Sequence, residues 1–326
     1  MSRLIRAELL RLRSRRLTWI ALGAVLLVVG LTQLAVYSSG KPLTVAEQNR
    51  AQVAFQKAQQ EYEQNKEQHA RDAAQCVAQG NPQEVCEYPP PQLEQYAERQ
   101  VVPFSDVASL SVTTVAFLSA LALLMLSASL VGAEFSSGAL ANWLSFVPER
   151  TKVYASKLVA LLVGGVAGTA LLTGATIGVT VLLSRIAGAD VDKVATVLAM
   201  GGRGLLLAVI AVVLGFGLAM LTRHTIAAAG TVLGYLLLSF VLSIVMFSQP
   251  GLQVLKRVLP ENNALALLEN GHRYTNVANT QGPDGQYNFT ETEHVITFAQ
   301  SSLYWAVVLV AVLAVSYLVF RRRDVN

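Results

Sequence analysis

Reactive and ionisable side chains are scarce in this chain, and those with a suggestive spacing gather in two places. The first is a punctuated stretch, Gly132-Ala133-Glu134-Phe135-Ser136-Ser137-Gly138, which continues through Trp143 to Val147-Pro148-Glu149-Arg150 and ends at Ser156-Lys157-Leu158. Trp143, Leu144, Phe146 and Val147 offer an apolar surface beside polar groups, which suits a short helix docking into a partner's groove. The second place holds Cys76 and Cys86, the only cysteines of the chain. In an oxidising compartment they are expected to pair, and the constraint would help a thinly packed segment. Two free thiols are the alternative. With His69 they make a poor zinc site, because structural zinc takes four ligands at tighter spacing.

Other chemistries lack their residues. A phosphate-binding loop of the form GxxxxGK[ST] is absent, so the chain is not expected to hydrolyse ATP itself. No Ser/His or paired-carboxylate constellation falls within an apolar stretch, which argues against intramembrane hydrolysis. His224 follows Arg223 in a tight turn and reads as a solvated residue. No catalytic residue, bound metal or nucleic-acid partner is expected.

The segments that must position these residues are those of a membrane protein. Of 326 residues, 53% are hydrophobic and only 14% charged, against about 25% charged in ordinary soluble proteins. Residues 38–104 hold 15 of the 46 charges, so one polar insert interrupts an otherwise lipid-compatible chain. Six stretches free of Asp, Glu, Lys and Arg are long enough to cross a bilayer: Leu17 to Gly40, Val107 to Ala133, Leu158 to Ser184, Gly204 to Thr222, Thr225 to Leu255 and Val295 to Phe320. In lipid each must satisfy its own backbone groups, so each is expected to be helical. The fold class expected is all-α, with six transmembrane helices.

Basic residues near the helix ends set the orientation. Arg3, Arg6, Arg11, Arg13, Arg15 and Arg16 precede the first span against the single acid Glu8, and Arg321, Arg322 and Arg323 follow the last. Both termini are therefore expected in the cytoplasm, and the first span is expected to be a retained helix rather than a signal peptide. Arg185, Lys193 and Arg203, between the third and fourth spans, then fall outside, in mild conflict. Within residues 1–16, Ile5, Leu9 and Leu12 share one face, the pattern of a helix lying in the headgroup layer.

The insert, residues 41–104, follows the first span (17–40) and is expected outside the membrane. Ala51, Phe55, Ala58 and Tyr62 recur at helical spacing, so a helix is expected from about Thr44 to Gln75. A second short helix around Gln92 to Gln100 would cover that stripe with Leu93 and Tyr96. Residues 105–326 hold the other five spans, the segment 132–157 and a last outer loop, 249–300. That loop is expected to carry a short helix from Glu261 to Asn270 stopped by Gly271, and a turn-rich tip at Gln281 to Asn288. Asn288-Phe289-Thr290 is a glycosylation tripeptide by pattern. Glycines at i, i+4 spacing, Gly164/Gly168, Gly174/Gly178 and Gly230/Gly234, are expected at close helix contacts within the chain, a dimer seam being the alternative.

The glutamate-aromatic-glycine, proline-arginine and Ser-Lys-Leu stretch resembles the pattern of permease subunits of type-2 ABC exporters, the family of drug, polysaccharide and lipid exporters. The order of a basic amphipathic helix, six spans, an outer insert and the ending Phe320-Arg321-Arg322-Arg323-Asp324 is similar too. The resemblance implies a non-catalytic membrane subunit of a bacterial plasma membrane. It also implies a partner ATPase that holds ATP and magnesium, and a second permease copy, identical or paralogous. By resemblance, Glu134, Phe135, Gly138, Pro148, Arg150 and Lys157 occupy the coupling positions that meet the ATPase, with Trp143 on the same segment. Ala133 stands directly before Glu134, where the family often has a basic residue. The absence of ionisable residues from the six stretches agrees with energy supplied by a separate subunit. A sensor or mechanotransmission subunit that signals through its insert is the rival expectation.

Overall fold

The structure is a computed structural model that describes residues 2–39, 41–80, 83–97, 102–281 and 287–322. A short helix α1 (Ser2–Ser14) meets α2 (Arg16–Ser39) at a break. Thr18 Oγ1 and Trp19 Nε1 donate to the carbonyls of Leu12 and Arg13 at 2.7 and 2.9 Å, which satisfies backbone groups that α1 leaves open at its end. The insert follows as α3 (Val45–Gln64), α4 (Lys66–Ala78) and the single turn α5 (Gln83–Cys86). Then come α6 (Phe104–Ser136), α7 (Ala139–Phe146), α8 (Arg150–Ile186), α9 (Val194–Thr222), α10 (Thr225–Ser248), α11 (Pro260–Glu269), the strands β1 (His272–Gln281) and β2 (Tyr287–Ile296), and α12 (Phe298–Arg322).

Among the described residues, α2, α6, α8, α9, α10 and α12 are long and apolar enough to cross a membrane, so the chain is an integral membrane protein. Each of these helices covers most of one uncharged stretch, and five of them take in a charge that bounds it, Arg16 in α2 and Arg321 in α12 among them. α6 takes in Glu134, α8 takes in Lys157 and α9 takes in Arg203. Each of these three charges finds a partner inside the fold. Arg203 is thus no loop residue: its Nε donates to the Leu268 carbonyl at 2.9 Å, at the end of α11. Arg323 lies outside the described residues.

The fold is not purely helical. β1 and β2 pair antiparallel from His272↔Ile296 to Gln281↔Tyr287, in the segment expected to be a loop, and residues 282–286 of its tip lie outside the described residues. Gln253, in a 3-10 segment at Pro250–Val258, holds the free edge of β1 by accepting from Val277 N and donating to Val277 O, both at 2.8 Å. The short helix α11 forms as expected and ends at Asn270 and Gly271, both at positive φ. Gly271 N closes it onto the Ala266 carbonyl at 2.8 Å.

The insert folds as a helical arm. Thr44 and Glu47 form a reciprocal capping box at the start of α3, and Asn65 interrupts the expected single helix into α3 and α4. Ala51 is buried and Phe55 meets Tyr96 at 6.2 Å between ring centroids. Leu93 does not cover the stripe as expected; it is 45% exposed, because Leu93–Tyr96 forms only a 3-10 turn that points Tyr96 inward instead. The rest of the expected second helix, residues 98–100, lies outside the described residues. His69 stacks between Tyr62 and Tyr88, at 5.5 and 4.8 Å. Cys76 and Cys86 are joined in a disulfide.

The core is built around α9. Its small residues let other helices approach: a Cβ on Gly215 would stand 2.2 Å from the Leu124 carbonyl oxygen of α6, and one on Gly217 would meet Val312 of α12. Of the expected glycine contacts, Gly164 packs under Leu9 and Leu12 of α1, but Gly168, Gly174, Gly178, Gly230 and Gly234 face open space. Spacing along one helix does not say which face its neighbours take. Replacing Gly215 by Ala is expected to cost about 1–3 kcal/mol through overpacking against backbone. Gly168→Ala is expected to be neutral or slightly stabilising. Thermal unfolding of the two variants in detergent measures the difference.

Candidate functional site

The segment 132–157 is α7 with the flanking ends of α6 and α8. Gly138 starts α7 in the left-handed region, at φ 70°, a conformation glycine adopts freely. Glu134 and Lys157 face each other across this corner: Lys157 Nζ lies 2.5 Å from Glu134 Oε2 and 2.7 Å from Glu8 Oε1. Glu8 comes from α1, 149 residues away in sequence. Lys157, Glu8 and Glu134 are 1, 4 and 5% exposed. Arg11, partly exposed, adds a hydrogen bond from its NH1 to Glu134 Oε1 at 3.1 Å and lies 3.8 Å from Glu8.

The cluster holds two cations and two carboxylates, so it is formally neutral. That balance is what permits its burial, since one uncompensated ion there would cost several kcal/mol. Trp143 of α7 closes the corner. The Arg11 guanidinium sits 4.8 Å and Lys157 Nζ 5.8 Å from its ring centroid, within cation-π range. One ammonium group thereby ties α1, α6, α7 and α8 together.

The residues expected to act together fall into two groups. Glu134, Lys157 and Trp143 converge with Glu8 and Arg11. Arg150 belongs elsewhere: its NH1 donates to the carbonyls of Phe320 and Arg321 at 3.2 Å, so it caps the C-terminal end of α12. Beside it, Thr151 and Tyr317 share a hydrogen bond of 2.9 Å, and Tyr154 contacts Ser316 and the rings of Phe216 and Phe320. Phe135 lies under Arg223, 5.6 Å from its guanidinium. Gly138 and Pro148 are exposed, and Phe146, at the far end of α7, is 80% exposed.

Burial changes what Glu134 and Lys157 can do. Buried against each other, they hold the corner that presents α7. The ion pair left open by Ala133 is supplied by residues distant in sequence. Glu8 is the residue that sequence reasoning missed. In the sequence it is one acid among arginines, but it shares a helical face with Ile5, Leu9 and Leu12, which places it against the bundle. Of the six N-terminal arginines, Arg3, Arg6, Arg13 and Arg16 are exposed, whereas Arg11 and Arg15 turn inward, Arg15 donating to the Ser129 carbonyl at 3.2 Å. Among the described residues, no group of His, Cys, Asp and Glu is arranged to hold a metal ion.

Residues 74–326 match the family described as "Protein of unknown function (DUF2705)". The chain belongs to this family. No curated protein and no solved structure matches it. The span shared with the DUF2705 family takes in the disulfide, Glu134, α7, Arg150 and Lys157, while Glu8 and Arg11 lie in the part before it.

Lys157→Met leaves two buried carboxylates without their closest cation, with an expected loss of about 3–5 kcal/mol. Arg11→Gln, at a partly exposed position, is expected to lose clearly less. Neutralising Glu8 and Glu134 to Gln alongside Lys157→Met should recover most of the loss. Thermal unfolding of the four proteins in one detergent checks the order, and equal losses in the two single variants would contradict it.

Proposed function

We propose that the chain is the membrane-spanning permease subunit of an ATP-driven exporter of the type-2 ABC class. In this reading it carries an amphipathic or lipid-like substrate outward between two permease copies in a bacterial plasma membrane. The termini, α1 and α7 lie on the cytoplasmic side. α1 rests at the headgroup layer with Arg3, Arg6, Arg13 and Arg16 outward, and α3 to α5 stand outside the cell as a helical hairpin. ATP and magnesium are held by a separate ATPase subunit, and this chain supplies no catalytic group.

The observation that carries the reading is the corner built by Lys157. A short helix, held through Trp143 against a buried neutral ion cluster and bearing the exposed Phe146 about one turn further on, is suited to receive a push and deliver it to several spans. The role of each coupling residue follows from its place. Phe146, Gly138 and Pro148 form the face that meets the ATPase; Glu134, Lys157 and Trp143 hold that face in position; Arg150 links the start of α8 to the end of α12. ATP-driven closure of the ATPase pair would then rock these spans as rigid bodies.

In proteoliposomes containing the chain and its ATPase, Phe146→Ala is expected to lower substrate-stimulated ATP turnover and export together by tenfold or more. Basal ATPase activity should stay within about twofold, since the hydrolysing site is untouched; a tenfold drop corresponds to about 1.4 kcal/mol of lost coupling. Unchanged export would count against the reading.

A second reading, signalling through the insert, is favoured by the insert's own stabilisers: a disulfide, a capping box and a three-ring stack. Removing residues 43 to 100 separates the two. An exporter should keep measurable flux in the proteoliposomes, whereas a signalling subunit should keep its fold and lose its output.

A further inference from the structure

Between α1, the start of α2, the second half of α6 and the first half of α8 lies a cavity of about 170 Å³. It is lined by Leu12, Leu22, Val25, Leu126, Gly168 and Leu172, among others. An enclosed apolar cavity of ~150 Å³ accepts a benzene-sized guest and stays dry, so this one has room for a short length of hydrocarbon. The lining is otherwise apolar, with four hydroxyls, those of Thr18, Ser119, Ser127 and Thr169. Those of Thr18 and Ser127 donate to the carbonyls of Leu12 and Leu123 at 2.7 Å, and Ser119 is left without a partner among the described residues. A water needs two to four polar partners.

The partly exposed Leu22, Gly168 and Leu172 put the opening at the α2–α8 side, toward lipid. In a bilayer the molecule present there in excess is a phospholipid, and its acyl chain matches the lining. Arg13 and Arg16, both exposed, flank the α1–α2 break beside Leu12 and Thr18, which line the cavity. Arg11 and Arg15 are engaged with Glu134 and Ser129; of the four exposed N-terminal arginines, Arg13 and Arg16 are the two nearest in the chain to the lining residues Leu12 and Thr18.

We infer that this cavity is a binding site for one anionic phospholipid of the leaflet that faces α1, with an acyl chain between α2, α6 and α8 and its phosphate at Arg13 and Arg16. The site lies within a single chain and does not depend on the export reading. Because Leu12 both lines the cavity and packs on Gly164 of α8, a bound lipid also braces α1 beside the Glu8–Lys157 pair.

The test uses the full chain in nanodiscs of equimolar dioleoyl-phosphatidylcholine and dioleoyl-phosphatidylglycerol, released and weighed by native mass spectrometry. The expected result is one retained lipid per chain, with phosphatidylglycerol preferred on the order of tenfold, as two arginines near a surface would give. Gly168→Leu places a side chain in the open space of the cavity and is expected to abolish retention of both lipids. The R13Q/R16Q protein should retain a lipid with no preference. Equal retention of the two lipids by the unaltered chain overturns the proposal, as does unchanged retention by a folded Gly168→Leu protein. If Gly168→Leu does not fold, the arginine pair decides: a preference that survives R13Q/R16Q overturns the headgroup site.

Discussion

The ammonium group of Lys157 is the constraint around which the rest is arranged. A lysine that is 1% exposed at the end of a membrane span has no water to turn to, so its burial depends on carboxylates being held at hydrogen-bond distance. Glu134 comes from α6 and Glu8 from α1, and Arg11 balances the second carboxylate. The pairing does not have to add net stability to matter. Buried ion pairs often roughly break even against apolar packing, but breaking one by removing a partner costs about 3–5 kcal/mol. The cluster therefore acts as a specification: helices that place all four groups together are tolerated, and arrangements that separate them are not.

The remaining polar contacts inside the bundle follow the same logic at lower stakes. Gln33 of α2 donates to Ser111 of α6 at 3.2 Å and accepts from Thr180 of α8 at 2.9 Å. Such interhelical bonds contribute about 0.6–2 kcal/mol in membranes. With Lys157 at one end of the bundle and Gln33 toward the other, α6 and α8 are registered at two levels, and α2 joins them at the second. α9 fills the centre by shape rather than by charge, through glycines that admit the Leu124 backbone and Val312. α10 has the opposite character: most of its apolar side chains, from Ile226 to Ile244, are exposed, as a lipid-facing helix requires.

What the sequence made legible follows from how locally each feature is determined. Spans are local, since a run of uncharged residues must become a helix in lipid, and all six were found. The disulfide was legible because two cysteines ten residues apart had no other partner within the chain. The ion cluster was half legible: Glu134 and Lys157 stood out by resemblance, but Glu8 needed the fold to carry α1 onto α8. The strand pair was not legible, because His272–Gln281 and Tyr287–Ile296 lack an alternating apolar face and owe their edge to Gln253. The glycine contacts were misread for a similar reason. A close approach is a property of two helices, and Gly215 and Gly217 reveal theirs only against α6 and α12.

The same geometry decides how a displacement of α7 would travel. α7 spans about 12 Å, and Trp143, held by Arg11 and Lys157, stands about one turn before the exposed Phe146. Bending this corner would draw Lys157 away from a carboxylate, and a buried ion parted from its partner costs several kcal/mol. Moving α1, α6, α7 and α8 together leaves the cluster intact and asks only that apolar faces slide in lipid, where hydrocarbon replaces hydrocarbon at little cost. Rigid displacement of the block is therefore cheaper than local deformation. The spans that contribute no residue to the cluster are α2, α9, α10 and α12; of these α2 is tied to α1 by Thr18 and Trp19, α9 is packed on the α6 backbone at Gly215, and α12 is tied back by Arg150. That leaves α10 as the helix whose position relative to the block is least fixed by polar contacts at the α7 end.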